Sequence, residues 1–269
     1  MEIAFTKMHG AGNDFVMIEN LDGSIELSAT QVARMCDRRL GIGADGLILL
    51  NPLQADDTDA TMIYYNADGS RVDMCGNGAR CFTSFALQNG VGSGESVSFL
   101  TDAGPMKATA SDGVFTINMT PVHSIELDQE LETEHGSYNY DFMNTGVEHV
   151  VVFSDAVDRI NIVPEGSAIR YHSGFPKGTN ANFAEIQKDG VIKVRTYERG
   201  VEDETLACGT GVTAVAIAAN LSKNQPTPIS VLVRGGDTLS VDFQREGDDI
   251  SNISLTGPAK VVFRGQVEI

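Results

Sequence analysis

Two short stretches set the terms for this chain. Asp73 to Phe82 reads DMCGNGARCF, and Thr205 to Val215 reads TLACGTGVTAV. Each puts a cysteine directly before Gly-x-Gly, and each leads into a helical pattern. After Cys75, Phe82, Phe85, Ala86 and Asn89 fall at i, i+3, i+4 and i+7, and the pattern stops at Gly90. After Cys208, Val212, Val215, Ala216 and Ala219 repeat the spacing, in a helix apolar on nearly every side and therefore buried. The cysteines lie 208 − 75 = 133 positions apart. A chain that carries one unusual helix start twice reads as two similar halves, each holding strands, a hairpin and one cysteine-led buried helix.

Strands supply most of the rest. Ile3 to Phe5, Phe15 to Ile18, Ala60 to Tyr65, Val97 to Leu100 and Val151 to Phe153 are short and apolar or β-branched. Asp112-Gly113 and Asp189-Gly190 each sit between alternating runs and mark hairpins. Ser28 to Arg39 reads as a helix with an N-cap serine, ending before Gly41, with Cys36 inside it as a small core residue. Cys81, two turns into its helix, is likewise assigned to packing. The half boundary is placed near Pro121, and the last strand, Lys260 to Phe263, crosses back to the first half. The expected domains are 1–121 plus 259–269, carrying Cys75, and 122–258, carrying Cys208.

Composition removes several function classes. A net charge of −18 over 269 residues argues against nucleic acid and against an anionic membrane surface, both of which need clustered Lys and Arg. MEIAFTKMHG has no secretory pattern, and no apolar run approaches the roughly 20 residues of a spanning helix. A cytoplasmic location is expected, with the four cysteines reduced. There is no CxxC and the five histidines are scattered, so no metal is expected. GIGADG, Gly41 to Gly46, matches G-x-G-x-x-G, but it follows a helix pattern and leads into the strand-like Leu47 to Leu50. A dinucleotide fingerprint needs the reverse order, so the glycines are assigned to a tight helix-to-strand loop beside a ligand.

The cysteines carry the chemistry. A helix N-terminus offers unpaired N–H groups and a partial positive charge, which favour the thiolate and pull a thiol pKa down from roughly 8.5. Glycines after the thiol let a ligand reach those N–H groups, which can seat a carboxylate. Two such sites facing one ligand could remove a proton from a carbon with one sulfur and return it to the opposite face with the other. Like charges at close range favour one thiolate beside one thiol.

At these residues the chain resembles the diaminopimelate epimerase family, over essentially its full length. The resemblance rests on KMHGAGNDFV (7–16), GIGADGL (41–47), YNADGSRVDMCGNGARC (65–81), GTNANFAEI (178–186) and YERGVEDETLACGTG (197–211). It implies an α+β fold of two pseudo-symmetric domains, each a strand-rich, barrel-like sheet around a central helix, with the active site in the cleft between them. It implies Cys75 and Cys208 as the acid–base pair, with His149 and Glu198 modulating their ionisation. By motif position it implies Asn13, Asn66, Gly76, Asn77, Asn180, Glu198, Arg199, Gly209 and Thr210 as substrate-binding residues. Amides suit polar ends, Glu an ammonium and Arg a carboxylate. The chain departs from the family where GVEH, Gly146 to His149, stands for Gly-Asn-Pro-His, and where Gly46 stands for a glutamine. Val147 and Gly46 therefore bear on recognition of the distal end of the substrate.

The expected function is cofactor-independent epimerisation of L,L-2,6-diaminoheptanedioate to the meso form, on the route to lysine and peptidoglycan precursors, by a homodimer. The expected partner is this small diamino dicarboxylate. The alternatives are a cofactor-independent racemase of another amino acid, a thiol redox protein, and a non-catalytic amino-acid binder.

Overall fold

The computed structural model describes residues 2–54, 57–247 and 249–269. In chain order the first half holds β1 (Glu2–Gly10), β2 (Asn13–Glu19), α1 (Ala29–Cys36), β3 (Gly46–Asn51), β4 (Ala60–Asn66), β5 (Arg71–Val72), α2 (Gly76–Gln88), β6 (Ser96–Thr101), β7 (Gly104–Ser111) and β8 (Val114–Asn118). There follow β9 (His123–Thr133), β10 (Gly136–Asn144), β11 (Glu148–Phe153), α3 (Ile162–Arg170), β12 (Asn180–Ile186), β13 (Ile192–Glu198), β14 (Asp203–Thr205) and α4 (Gly209–Lys223). The chain ends with β15 (Ile229–Leu232), β16 (Thr238–Glu246), β17 (Asp249–Pro258) and β18 (Lys260–Glu268). It divides into two compact units, Met1–Asn118 with Gly257–Ile269, and Met119–Thr256. The first changeover falls before Pro121 because β8 ends at Asn118, and Met119 already donates its N–H to Ile253 in the second unit.

The two units repeat one strand plan. In the first, β18, β1 and β2 run antiparallel in sequence, β2 and β3 pair in parallel, β3–β4–β5 are antiparallel, β4 and β6 pair in parallel, and β6–β7–β8 form an antiparallel ribbon. The second repeats this with β9, β10 and β11, the parallel pair β11–β12, then β12–β13–β14, the parallel pair β13–β15, and β15–β16–β17. Parallel neighbours need a crossover, and helices occupy the equivalent connections: α1 and α3 at one, α2 and α4 at the other. β18 thus stands in the first unit where β9 stands in the second. The N-terminal unit is completed by the last strand of the chain.

Each unit wraps its strands around one helix. α2 packs against β1, β2, β3, β6, β7 and β8, and α4 against β9 to β13, β15 and β16. Residues 76–86 of α2 are all buried, and ten residues of α4 are, among them every one from Gly211 to Ala219. The other two helices cover a different sheet face. Val32, Met35 and Cys36 of α1 join Ile3, Phe5, Val16, Ile18 and Leu47 in one apolar cluster, and Ile162 and Ile169 of α3 join Val150, Val152, Phe183 and Tyr197 in its counterpart. Ser28 caps α1 through a capping box with Gln31, and the helix stops at Cys36, short of the Arg39 expected from the sequence, because Asp37 turns to extended backbone. The Asp-Gly hairpins form as read, with Ser111 opposite Val114 and Ile186 opposite Ile192.

Removing residues 260–269 should expose β1 as an edge strand, eight of whose residues register with β18. The expected result is a loss of several kcal/mol of stability, since each ladder hydrogen bond is worth about 1 kcal/mol. Hydrogen exchange should show faster exchange in β1 and β2 than in β11 and β12. Unchanged protection in β1 would contradict the assignment of the last strand to the first unit.

Candidate functional site

The first half-site begins at the β1–β2 turn. Ala11 and Gly12 both have positive φ, 56° and 95°, the geometry of a two-residue hairpin turn that matches strand twist. A non-glycine residue in that region costs about 1–2 kcal/mol, and here it sets the entry to β2 at Asn13. Asn13 donates through Nδ2 to Asp45 at 2.8 Å. Its Oδ1 therefore faces the other way, where it accepts from Asn77 Nδ2 at 3.3 Å and from Cys75 Sγ at 3.6 Å. Asn77 in turn accepts from Arg80 Nη2 at 2.8 Å through its own Oδ1. Arg80 is fully buried and also donates to the Gly76 carbonyl one turn back. A chain of polar contacts thus runs from Asp45 through Asn13 to the cysteine and the first turn of α2.

A charge cluster holds Asp45 in place. Arg38 binds Asp14 with both terminal nitrogens, at 3.0 and 2.7 Å, and Asp45 at 2.6 Å. Lys7, largely buried, pairs with Asp14 at 2.7 Å and donates to the Gly43 carbonyl. Burial opposes ionisation of Asp14. The Arg38 and Lys7 hydrogen bonds, the Lys7 charge and the Asp45 N–H outweigh it and bring the carboxyl to about 2. The GIGADG loop is therefore a helix-to-strand connection whose aspartate orients Asn13.

Asn66 lies apart from this chain, at the end of β4. Its Oδ1 accepts from Tyr64 Oη at 3.0 Å and its Nδ2 reaches Ser70 Oγ at 3.4 Å. The Tyr64 ring also explains Gly46: a Cβ there would stand 2.7 Å from Tyr64 Cε2 and 2.5 Å from the Tyr65 carbonyl oxygen. In this chain the space beside Gly46 is taken by a tyrosine that engages Asn66.

The second half-site is built at the corresponding helix. Cys208 is buried, with Sγ 3.4 Å from Thr210 Oγ1, and Thr145 donates to the Thr210 carbonyl at 3.0 Å. Glu198 ends β13 and accepts from Thr205 Oγ1 at 2.7 Å. Asn180 is buried and spent on backbone: it donates to the Glu148 carbonyl and accepts from the Arg199 N–H, both at 2.9 Å. Arg199 is held through Nη1 by Glu148 at 2.9 Å and by the carbonyls of Lys177 and Gly178 at 2.9 and 3.3 Å. The departure from proline at position 148 thus supplies a carboxylate for the arginine.

His149 is fully buried. Burial, then the charge of Arg199, lowers it from 6.5 to about 3, so it is neutral at physiological pH. Cys36 and Cys81 are free and buried, and burial pushes both thiols up to about 12. Burial thus disfavours the thiolate at both positions. In neither α2 nor α4 does the cysteine at the cap make a side-chain capping hydrogen bond, in contrast to Ser28 of α1. Both cysteines stand at a helix N-terminus, where the first-turn N–H groups and the partial positive charge suit an anion.

Sequence reasoning passed over Asp45, Tyr64, Arg80 and Asn182. An arginine inside an otherwise small and apolar helix start was the available signal for Arg80. Asn182, two residues after Asn180 and hence on the same strand face, was the signal for a polar patch beneath α4.

The diaminopimelate epimerase family model matches residues 5–125 and 142–262, one match per half. The diaminopimelate epimerase of Aquifex aeolicus is 40% identical over 275 residues, covering 98% of this chain and 97% of the relative. That of Chlorobaculum tepidum is 41% identical over 266 residues, covering 97% and 100%. The fold is also that of a PhzF-family phenazine biosynthesis protein from Bacillus anthracis, with a TM-score of 0.77 at 14% identity and full coverage of both chains. A hydroxyproline epimerase from Agrobacterium vitis matches with a TM-score of 0.73 at 19% identity, over 99% of this chain and 91% of that one.

Asp14 makes a pH prediction with a definite sign. Its folded pKa lies below the ordinary 3.8, so its contribution to stability is present above pH 3.8 and is lost as pH falls through about 2. Urea unfolding at several pH values should show Asp14→Asn less stable than the parent at neutral pH, with a shallower loss of stability across that acid window. Identical acid dependence in the two proteins would contradict the cluster as drawn.

Proposed function

The chain belongs to the diaminopimelate epimerase family, and on that premise we propose that it interconverts L,L- and meso-2,6-diaminoheptanedioate by moving one α-proton between the thiols of Cys75 and Cys208. One sulfur, as thiolate, takes the α-proton. The C–H electron pair stays on carbon and spreads into the adjacent carboxylate. The other sulfur, as thiol, gives its proton to the opposite face, and the two sulfurs end with their charge states exchanged. The first-turn N–H groups at Gly76-Asn77 and Gly209-Thr210 hold the carboxylate as charge builds on it, an effect worth about 2.7–4 kcal/mol per well-placed donor. The chain's own residues serve this chemistry without a cofactor.

The observation that carries this reading is the pair of buried helices, each led by a cysteine at its N-cap position, in units of one topology. Asn13 and Asn77 tie the Cys75 thiol to its helix mouth. His149, neutral, and Glu198 tune the thiols. Asn66, Glu198 and Arg199 bind the polar ends of the substrate, and Asn180 joins them by fixing Arg199. The reading includes a cytoplasmic homodimer acting on the route to lysine and peptidoglycan precursors. Among the described residues no helix is long and apolar enough to cross a membrane.

A second reading keeps the chemistry and changes the substrate. Glu148 neutralises Arg199, and Tyr64 fills the space beside Gly46, so the distal group recognised could differ from a free amino-acid end. A panel of amino acids scored by chiral chromatography separates the two. The leading reading expects the diamino dicarboxylate to be turned over fastest. A clear preference for another amino acid would replace it.

Cys75→Ala and Cys208→Ala should each lower epimerisation by about 10²–10⁴-fold or more, the range lost with a general acid or base. Both variants should keep the parent's fold by circular dichroism. Full turnover in either would remove the two-thiol mechanism.

A further inference from the structure

Beneath the first turn of α4 lies a polar patch that decides how His149 is held. His149 of β11, Asn182 of β12 and Thr196 of β13 are all buried, each on a strand that packs against α4. We propose that Asn182 is a positioning residue that fixes His149 in its neutral Nε2–H tautomer, so that His149 acts on the proposed chemistry as a hydrogen-bond donor and not as a proton acceptor.

The assignment follows from donors and acceptors. The side chain of Asn182 approaches the Val150 carbonyl at 2.9 Å. A carbonyl only accepts, so the atom facing it is the amide nitrogen. The opposite atom, Oδ1, then accepts from Thr196 Oγ1 at 3.0 Å, which closes the orientation from the other side. The second amide hydrogen of Asn182 points to His149 Nδ1 at 3.2 Å. An N–H cannot donate to another N–H, so Nδ1 is the bare nitrogen and the proton sits on Nε2.

That Nε2–H is buried and has no hydrogen-bond acceptor among the described residues. A buried donor left in that state costs about 1–3 kcal/mol, which a site retains when a ligand or an anionic group is to receive the bond. Burial and the positive charge of Arg199 both act against a second proton on the ring.

Asn182 is also built into the helix mouth. A Cβ on Gly211 would stand 2.5 Å from Asn182 Oδ1 and 3.4 Å from Cys208 Sγ. The glycine that follows Cys208 by three positions is therefore the space the amide needs, and the same contact sets the amide against the cysteine-led turn. The second glycine of the Cys-Gly-x-Gly start has a structural use besides ligand access.

This inference rests on the two-thiol reading for its catalytic meaning, but its test does not. Long-range ¹H–¹⁵N correlation spectra report the tautomer of each of the five histidines, and His149→Gln identifies the resonances of interest. The parent protein near neutral pH should show His149 with a protonated Nε2 and a bare Nδ1. In Asn182→Asp the amide donor becomes a carboxylate, so His149 should move to the Nδ1–H or doubly protonated form. Turnover should then fall mainly in kcat, with a changed pH profile. A parent protein with Nδ1–H or imidazolium would overturn the proposal, as would a folded Asn182→Asp variant with an unmoved tautomer. If Asn182→Asp does not fold, the parent spectrum decides alone. Failure to turn over diaminoheptanedioate, with the Nε2–H tautomer observed, would count against the reaction and not against this assignment.

Discussion

A helix brings first-turn N–H groups with it, and something must accept from them. In α1 the chain answers with Ser28 and a capping box. At α2 and α4 it places a cysteine whose side chain does not cap, followed by glycines and a buried first turn. Much else in the molecule can be read as support for these two helix starts. Asp45, Asn13, Asn77 and Arg80 fix the geometry around Cys75. Thr145, Thr210 and Asn182 surround the start at Cys208. An apolar core could carry both helices more cheaply. Buried arginine, histidine and asparagine side chains at just these places are the cost of keeping the mouths polar and ordered.

Duplication gives the arrangement its logic. Each unit uses a three-strand antiparallel start, two parallel steps bridged by helices, and an antiparallel end. The repeat would be incomplete in the first unit without β18 beside β1. The divergence between the halves is equally informative. The first supports its cysteine with a wet ionic cluster around Asp14, and the second with a dry hydrogen-bonded patch around His149.

Periodicity and turn chemistry made much of this legible. The strands around Phe15, Ile63 and Val152, both Asp-Gly hairpins and the two cysteine-led helices follow from local pattern alone. The ribbon β9–β10 was not read, because β9 is largely exposed and carries charged residues between its few apolar ones. α3 was missed because its apolar spacing is interrupted by Pro164, Glu165 and Gly166. Of the site, the cysteines announced themselves by context. Asp45 and Asn182 act through partners distant in sequence, Asn13 and His149, and Arg80 was a lone arginine whose bond to Asn77 needed coordinates. Glu148 stood out only as a departure from a motif, and its bond to Arg199 needed coordinates.

The central claim is that two sulfurs act on opposite faces of one carbon, and isotope transfer tests it most directly. With L,L-2,6-diaminoheptanedioate in D₂O, early meso product should carry deuterium at the inverted carbon, while remaining substrate stays protiated. Product that retains the original hydrogen would show one base returning its own proton, and would contradict the account.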